Sequence, residues 1–172
     1  KSRGCNEGKN RLPEYDGILF DRGNLPDNKG NRGCAGQKGT GKMNRYSRVY
    51  AEIDLDAVLY NMEAMRNNIS EDTQIMAVIK ADGYGHGAVE IAETIDSLDY
   101  LYGYAVATVE EGLILRNHGI KKPILILGYA FPDQYEDMIR AEIRPTVFTR
   151  EMAEELSAAA EKIGMDWKIH CA

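Results

Sequence analysis

Gln74-Ile75-Met76-Ala77-Val78-Ile79-Lys80-Ala81-Asp82-Gly83-Tyr84-Gly85-His86-Gly87 is the stretch on which the fold of this chain turns. It opens as a short apolar run that ends in a lysine, the pattern of a strand buried on both faces. It continues as a loop with three alternating glycines. From Gly87 to Leu98, Val89, Ile91, Ala92 and Ile95 then recur on one side of a helix. Strand, glycine loop and helix in this order form one βα unit of a parallel α/β protein.

The same alternation extends in both directions. Upstream, Arg48 to Leu55 alternates as a strand, and Asp54 can cap a helix whose inner residues are Leu55, Val58, Leu59, Met62 and Met65. Downstream, Leu101 to Ala107 reads as a strand. Thr108-Val109-Glu110-Glu111 has the spacing of a capping box, which opens a helix running to His118 with Gly119 as its stop. Ile124 to Leu127 is a strand, and Pro132 starts a short helix. Pro145 to Phe148 is a strand, Glu151 to Ile163 a helix ended by Gly164, and Trp167 to Cys171 one more strand. An open doubly wound sheet and an incomplete (β/α)8 barrel both fit this series. Periodicity does not choose between them. A last strand with nothing after it is an unprotected edge, so the chain reads as cut in mid-fold.

Composition divides the chain near Met43. Residues 1–42 carry more Lys and Arg than Asp and Glu, hold nine of the seventeen glycines, and contain one apolar run, Gly17 to Phe20. Such a segment buries too little apolar surface to offset its chain entropy, so disorder is expected there. Gln37 to Lys42 can be encoded by purine-rich codons, as a ribosome-binding site read in frame would be. Residues 1–42 are therefore read as an upstream extension and residues 43–172 as the folded part. A mature N-terminus at Lys1 or Ser2 would refute that.

The whole chain of 172 residues has a net charge of −6, which argues against a nucleic-acid partner held by a basic surface. No run approaches the roughly 18–20 apolar residues of a membrane span, and no apolar signal region opens the chain. Cys5, Cys34 and Cys171 have neither disulfide-framework nor zinc spacing, so no metal is expected. The expectation is a soluble, cytoplasmic protein.

Lys80 is the sharpest chemical candidate. Ligands collect at the carboxyl ends of parallel strands. An amine placed there behind Ile75, Ala77, Val78 and Ile79 is partly desolvated, which disfavours its charged form. A neutral amine is what condensation with an aldehyde requires. Gly83, Gly85 and Gly87 let backbone approach a ligand, Tyr84 offers a hydroxyl, and the next helix turns its positive end to the same region. A solvated lysine followed by an ordinary turn is the alternative. His86 reads as a structural hydrogen-bonder, His118 as a favourable group at a helix end, and His170 as a core residue without a role. Asp82 is a weak candidate base, and Glu110 and Glu111 are read as charges at a helix start. Dinucleotide, P-loop and nucleophile-elbow motifs are absent.

Ala51 to Ala57, the run Ile75 to Gly87, Ala105-Val106-Ala107 with Glu110-Glu111-Gly112, and Pro123 to Gly128 together resemble, in order, the start of the bacterial alanine racemases. The resemblance runs from Tyr46 to about His170, and family members begin near the position of Met43. It implies a pyridoxal 5'-phosphate enzyme with an N-terminal (β/α)8 TIM-type barrel, incomplete in this chain, and a C-terminal β domain that this chain lacks. It implies that Lys80 bonds the cofactor and moves the α proton on one face. Tyr84 would hydrogen-bond the cofactor phosphate, and Leu127 would line its pocket. The second base would be a tyrosine from the other subunit of a homodimer. The activity implied is interconversion of L- and D-alanine for peptidoglycan.

Family members are more than twice this length, and Cys171-Ala172 stands where they continue with an apolar residue and a lysine. The chain alone is expected to lack activity; formation of D-alanine from L-alanine by the purified chain would contradict this. A non-catalytic barrel that holds pyridoxal phosphate, a racemase of another amino acid such as serine, and a fragment without a stable fold are the alternatives.

Overall fold

The computed structural model describes residues 51–172 and, as backbone, residues 18–21. The rest of the extension at 1–42, the start at Met43 and the strand residues 48–50 lie outside the described residues. The apolar run of the extension contains a strand, β1 (Ile18–Asp21), which pairs in parallel with β2 (Ala51–Asp54), Ile18 opposite Ala51. Asp54 ends β2 and caps α1 (Leu55–Arg66) as expected, its Oδ1 accepting the Ala57 N–H at 3.0 Å.

Five strands make the main sheet: β3 (Ile75–Val78), β4 (Leu101–Val106), β5 (Ile124–Ile126), β6 (Ile143–Val147) and β7 (His170–Cys171). A short turn, α2 (Lys80–Gly85), and α3 (Ala88–Ile95) join β3 to β4. The later crossovers are α4 (Val109–Asn117), α5 (Tyr135–Arg140) and α6 (Arg150–Ile163). Every pairing is parallel, and the spatial order β3-β4-β5-β6-β7 is the sequence order. A doubly wound sheet reverses its order at a switch point. This one never does, and right-handed crossovers keep its helices on one face. The choice that periodicity left open is settled in favour of the barrel type, here a parallel half-barrel.

Register sorts the two faces. Tyr104, Ile124 and Ile143 lie side by side, and so do Ala105, Leu125 and Arg144. The first row joins Ile95, Leu115 and Met138 from the helices in a core whose members are nearly inaccessible. The second row faces the inside of the half-barrel, as does Val78 opposite Ala105. His170 is exposed, which corrects its reading as a core histidine: among the described residues its strand β7 pairs with β6, through Thr146 and Val147.

Two polar devices hold the layers. At the amino-terminal end of the sheet the Arg116 guanidinium donates to four carbonyl oxygens: Ala141 at 2.8 Å, Ile120 at 2.6 Å, Lys122 at 2.8 Å and Glu142 at 3.1 Å. Within the core the Tyr104 hydroxyl donates between the Ala92 carbonyl oxygen at 2.9 Å and an Asp96 carboxylate oxygen at 3.0 Å. Burial, then the Asp96 charge, pushes this phenol well above its ordinary value of 10.0. Burial and Glu155 likewise push Tyr135 up to about 12.

A raised phenol titrates in the unfolded chain first. The stability it contributes is complete below pH 10 and falls as pH rises beyond it, by about 1.4 kcal/mol per pH unit for each such group. Tyr104→Phe is expected to cost about 1–2 kcal/mol at neutral pH and to flatten this alkaline decline. Denaturant melts at pH 7 and above pH 10 measure both effects. An unchanged alkaline slope would mean that Tyr104 is not the group responsible.

Candidate active site

The site is built at the carboxyl end of β3. Val78 is 43% exposed on the inner face, whereas Ile79 is buried against the helices, its N–H donating to the Ala105 carbonyl at 2.9 Å. Lys80 follows as the first residue of α2, two residues past the end of β3, and the residue is half-buried.

The segment after Lys80 is not the irregular loop that its glycines suggest. Ala81, Asp82, Gly83 and Tyr84 all hold left-handed backbone angles, with φ between 51° and 61° and ψ between 34° and 50°. Three of the four are not glycine, and the conformation costs each of them roughly 1–2 kcal/mol. Gly83 escapes that cost, and it lets the turn lie close on α3: a Cβ there would stand 2.9 Å from Ile91 Cδ1 and 3.3 Å from the Ala88 nitrogen.

Hydrogen bonds fix the turn at both ends. The Gly83 N–H donates to the Ile79 carbonyl at 2.9 Å, and the Gly87 N–H to the Asp82 carbonyl at 2.9 Å. Asp82 Oδ1 accepts the Ala88 N–H at 2.9 Å. This contact reassigns Asp82 from candidate base to the cap of α3. It also occupies an amide of the helix end that was expected to face a ligand.

At the entrance to the turn Glu111 Oε1 accepts the Ala81 N–H at 2.7 Å, while Oε2 accepts the Ala107 N–H at 2.7 Å. The expected cap is present as well, Thr108 Oγ1 accepting the Glu111 N–H at 3.4 Å. Yet the glutamate's carboxylate reaches across to the neighbouring strand end. The sequence held no signal for this, because the Thr-x-x-Glu spacing is already satisfied by a local cap. Glu110 also does more than charge a helix start: its Oε1 accepts from Gln134 Nε2 at 2.9 Å. Gln134 Oε1 in turn accepts the Phe131 N–H at 3.1 Å, tying the loop after β5 to α4.

The three residues singled out from sequence share one edge of the sheet. Tyr84 lies in the left-handed turn and is 59% exposed. Leu127 directly follows β5, its N–H donating to the Val106 carbonyl at 2.8 Å, and is 40% exposed. Lys80 and Leu127 stand two strands apart, about 10 Å by strand spacing. Of the histidines, Nδ1 of His86 lies 3.2 Å from the Tyr84 carbonyl oxygen, and Nδ1 of His118 lies 2.9 Å from that of Ile114. Both have the structural roles expected of them.

A half-buried lysine, an exposed tyrosine and uncovered apolar side chains at the carboxyl end of the strands suit an aldehyde-bearing aromatic with an anionic group. Among the described residues no helix is long and apolar enough to cross a membrane.

Known proteins share this fold. The family profile described as alanine racemase, N-terminal domain, matches residues 53–172. Alanine racemase 2 of Oceanobacillus iheyensis is 45% identical over 127 residues, covering 73% of this chain and 32% of that protein. An alanine racemase of Clostridium perfringens is 46% identical over 124 residues, covering 72% of this chain and 32% of its own length. Among solved structures, alanine racemase of Clostridium difficile 630 superposes with a TM-score of 0.67 at 40% identity, over 69% of this chain and 31% of that one. A histidine racemase from Leuconostoc mesenteroides gives a TM-score of 0.62 at 26% identity, over 68% and 31%. The chain thus spans about a third of the length of the curated relatives it matches. The singly wound parallel half-barrel and the match over residues 53–172 together place this chain in the alanine racemase family, in its N-terminal domain.

Proposed function

We propose that this chain is the cofactor-binding part of a pyridoxal phosphate enzyme that interconverts L-alanine and D-alanine. The observation that carries the reading is Lys80: a half-buried lysine at the carboxyl end of β3, followed at once by a left-handed turn. Bound there, pyridoxal phosphate would supply an electron sink that lets the C–H bond next to a carboxylate ionise.

The chain's own residues supply the rest. Lys80 would hold the cofactor covalently and, once the substrate amine has taken its place there, its freed Nζ would take or return the α proton on one face. Tyr84 presents its hydroxyl to the phosphate. Val78 and Leu127 would offer apolar surface at the rim for the cofactor ring to cover. Racemisation also needs a proton donor on the opposite face, which this reading assigns to a tyrosine from the other subunit of a homodimer. The product would serve peptidoglycan synthesis.

Borohydride reduction after incubation with pyridoxal phosphate, followed by peptide mapping, tests the assignment. The label is expected on Lys80. A label on another lysine, or none, would overturn the reading.

A racemase acting on a different amino acid is the second reading, favoured by the likeness to the Leuconostoc histidine racemase. The greater identity to alanine racemases supports alanine. A racemisation assay of the whole protein across amino acids separates the two.

A further inference from the structure

We propose that Glu111 is a positioning residue for Lys80: its carboxylate locks the left-handed turn through which the lysine leaves β3. This rests on the reading of Lys80 as the cofactor-bearing amine, but the clamp can be tested without cofactor.

Three observations converge on it. Glu111 spends both carboxylate oxygens on backbone amides that belong to different strand exits, Ala81 after β3 and Ala107 after β4, each at 2.7 Å. No cation takes part. The ion pairs among the described residues are Arg150–Glu154 and Lys162–Glu136, far along the chain from Glu111. Ala81 is also the first left-handed residue after Lys80, at φ 51° and ψ 50°, and alanine gains nothing of its own from that conformation.

A charge-assisted hydrogen bond to the Ala81 amide is what offsets the strain at the residue that aims the lysine. The carboxylate is itself fixed, since Glu111 stands in the first turn of α4 with its N–H on Thr108 Oγ1. Lys80 is thereby referenced to the β4–α4 junction as well as to its own strand.

Glu111→Gln keeps one acceptor and loses the other, turning an N–H donor towards an N–H. The expected results are a fall of about tenfold in the rate at which Lys80 is labelled by pyridoxal phosphate and borohydride, and faster hydrogen exchange at the Ala81 amide, also by about tenfold. Glu111→Asp is one methylene too short to bridge both amides. It should behave alike and replaces the glutamine variant if that one fails to fold.

Rescue distinguishes positioning from general stabilisation. Ala81→Gly removes the steric cost of the left-handed angles. Placed in the Glu111→Gln background, it should restore most of the labelling rate. Thr149→Ala, which deletes the cap of α6, should lower the melting temperature and leave labelling within about twofold.

Wild-type labelling in Glu111→Gln, unchanged exchange at Ala81, or no rescue by Ala81→Gly would each overturn the clamp. If the wild-type chain carries no label on Lys80, the cofactor reading falls, while exchange at Ala81 still decides for or against the clamp.

Discussion

Lys80→Ala is expected to abolish covalent capture of pyridoxal phosphate while leaving the chain folded. The contacts that shape the turn are made by main-chain groups of Ile79, Ala81 and Gly83 and by the carboxylates of Asp82 and Glu111, none of them by the lysine side chain. Truncation therefore removes the nucleophile without loosening its support. Lys80→Arg should fail equally. A guanidinium keeps the charge but does not give up its proton to become a nucleophile.

Lys122 is a useful internal standard. Its Nζ donates to the Leu98 carbonyl at 3.0 Å and the Leu101 carbonyl at 2.7 Å, at the entrance to β4 rather than its exit. Mass spectrometry of borohydride-reduced protein should therefore show the label on Lys80 and none on Lys122. Circular dichroism of Lys80→Ala should match the wild type. Undiminished labelling of Lys80→Ala would sink the assignment.

Gly103→Ala should leave little folded protein. A Cβ on this β4 residue would stand 2.2 Å from the Pro123 carbonyl oxygen, 3.0 Å from its carbon and 3.1 Å from the proline Cβ. The obstacle is backbone, and it has nowhere to go. The same carbonyl oxygen accepts the Tyr104 N–H at 2.8 Å, so moving it away breaks the hydrogen bond that seats the chain entering β5 on β4. Ordinary overpacking in a core costs about 1–3 kcal/mol. Here the clash and the lost strand contact act together, and a cost of about 4 kcal/mol or more is expected. That is a large share of the roughly 5–15 kcal/mol by which a domain is stable. Soluble yield and thermal melting measure it, and a melting temperature near that of the wild type would contradict the account.

Local rules carried much of the fold. Asp54 before an apolar helix, Thr108 with Glu111 three residues on, and Gly119 and Gly164 after α4 and α6 were readable because each acts within about one helical turn. Lys80 was readable for a similar reason: an apolar run closed by a basic residue marks where the strand ends. The order of the strands was not, since hydrophobic period says which face is buried but not which strand lies beside which.

The left-handed turn was hidden for a different reason. Ala81 and Tyr84 prefer other backbone angles, and the contacts that hold their turn are partly remote, Glu111 lying thirty residues beyond Ala81. Asp82 was misjudged because its partner, the Ala88 amide, becomes visible only once the turn folds back over the start of α3.

The consecutive strand order has a kinetic consequence. Each βα unit docks on its immediate predecessor, so the assembly can grow vectorially from the ribosome, every new strand finding a finished template beside it. Its ring-closing loops stay short, which favours rapid formation by the rule that near-neighbour topology folds faster than long-distance topology. A nascent chain arrested after α4 should already protect the amides of β3 and β4 from exchange.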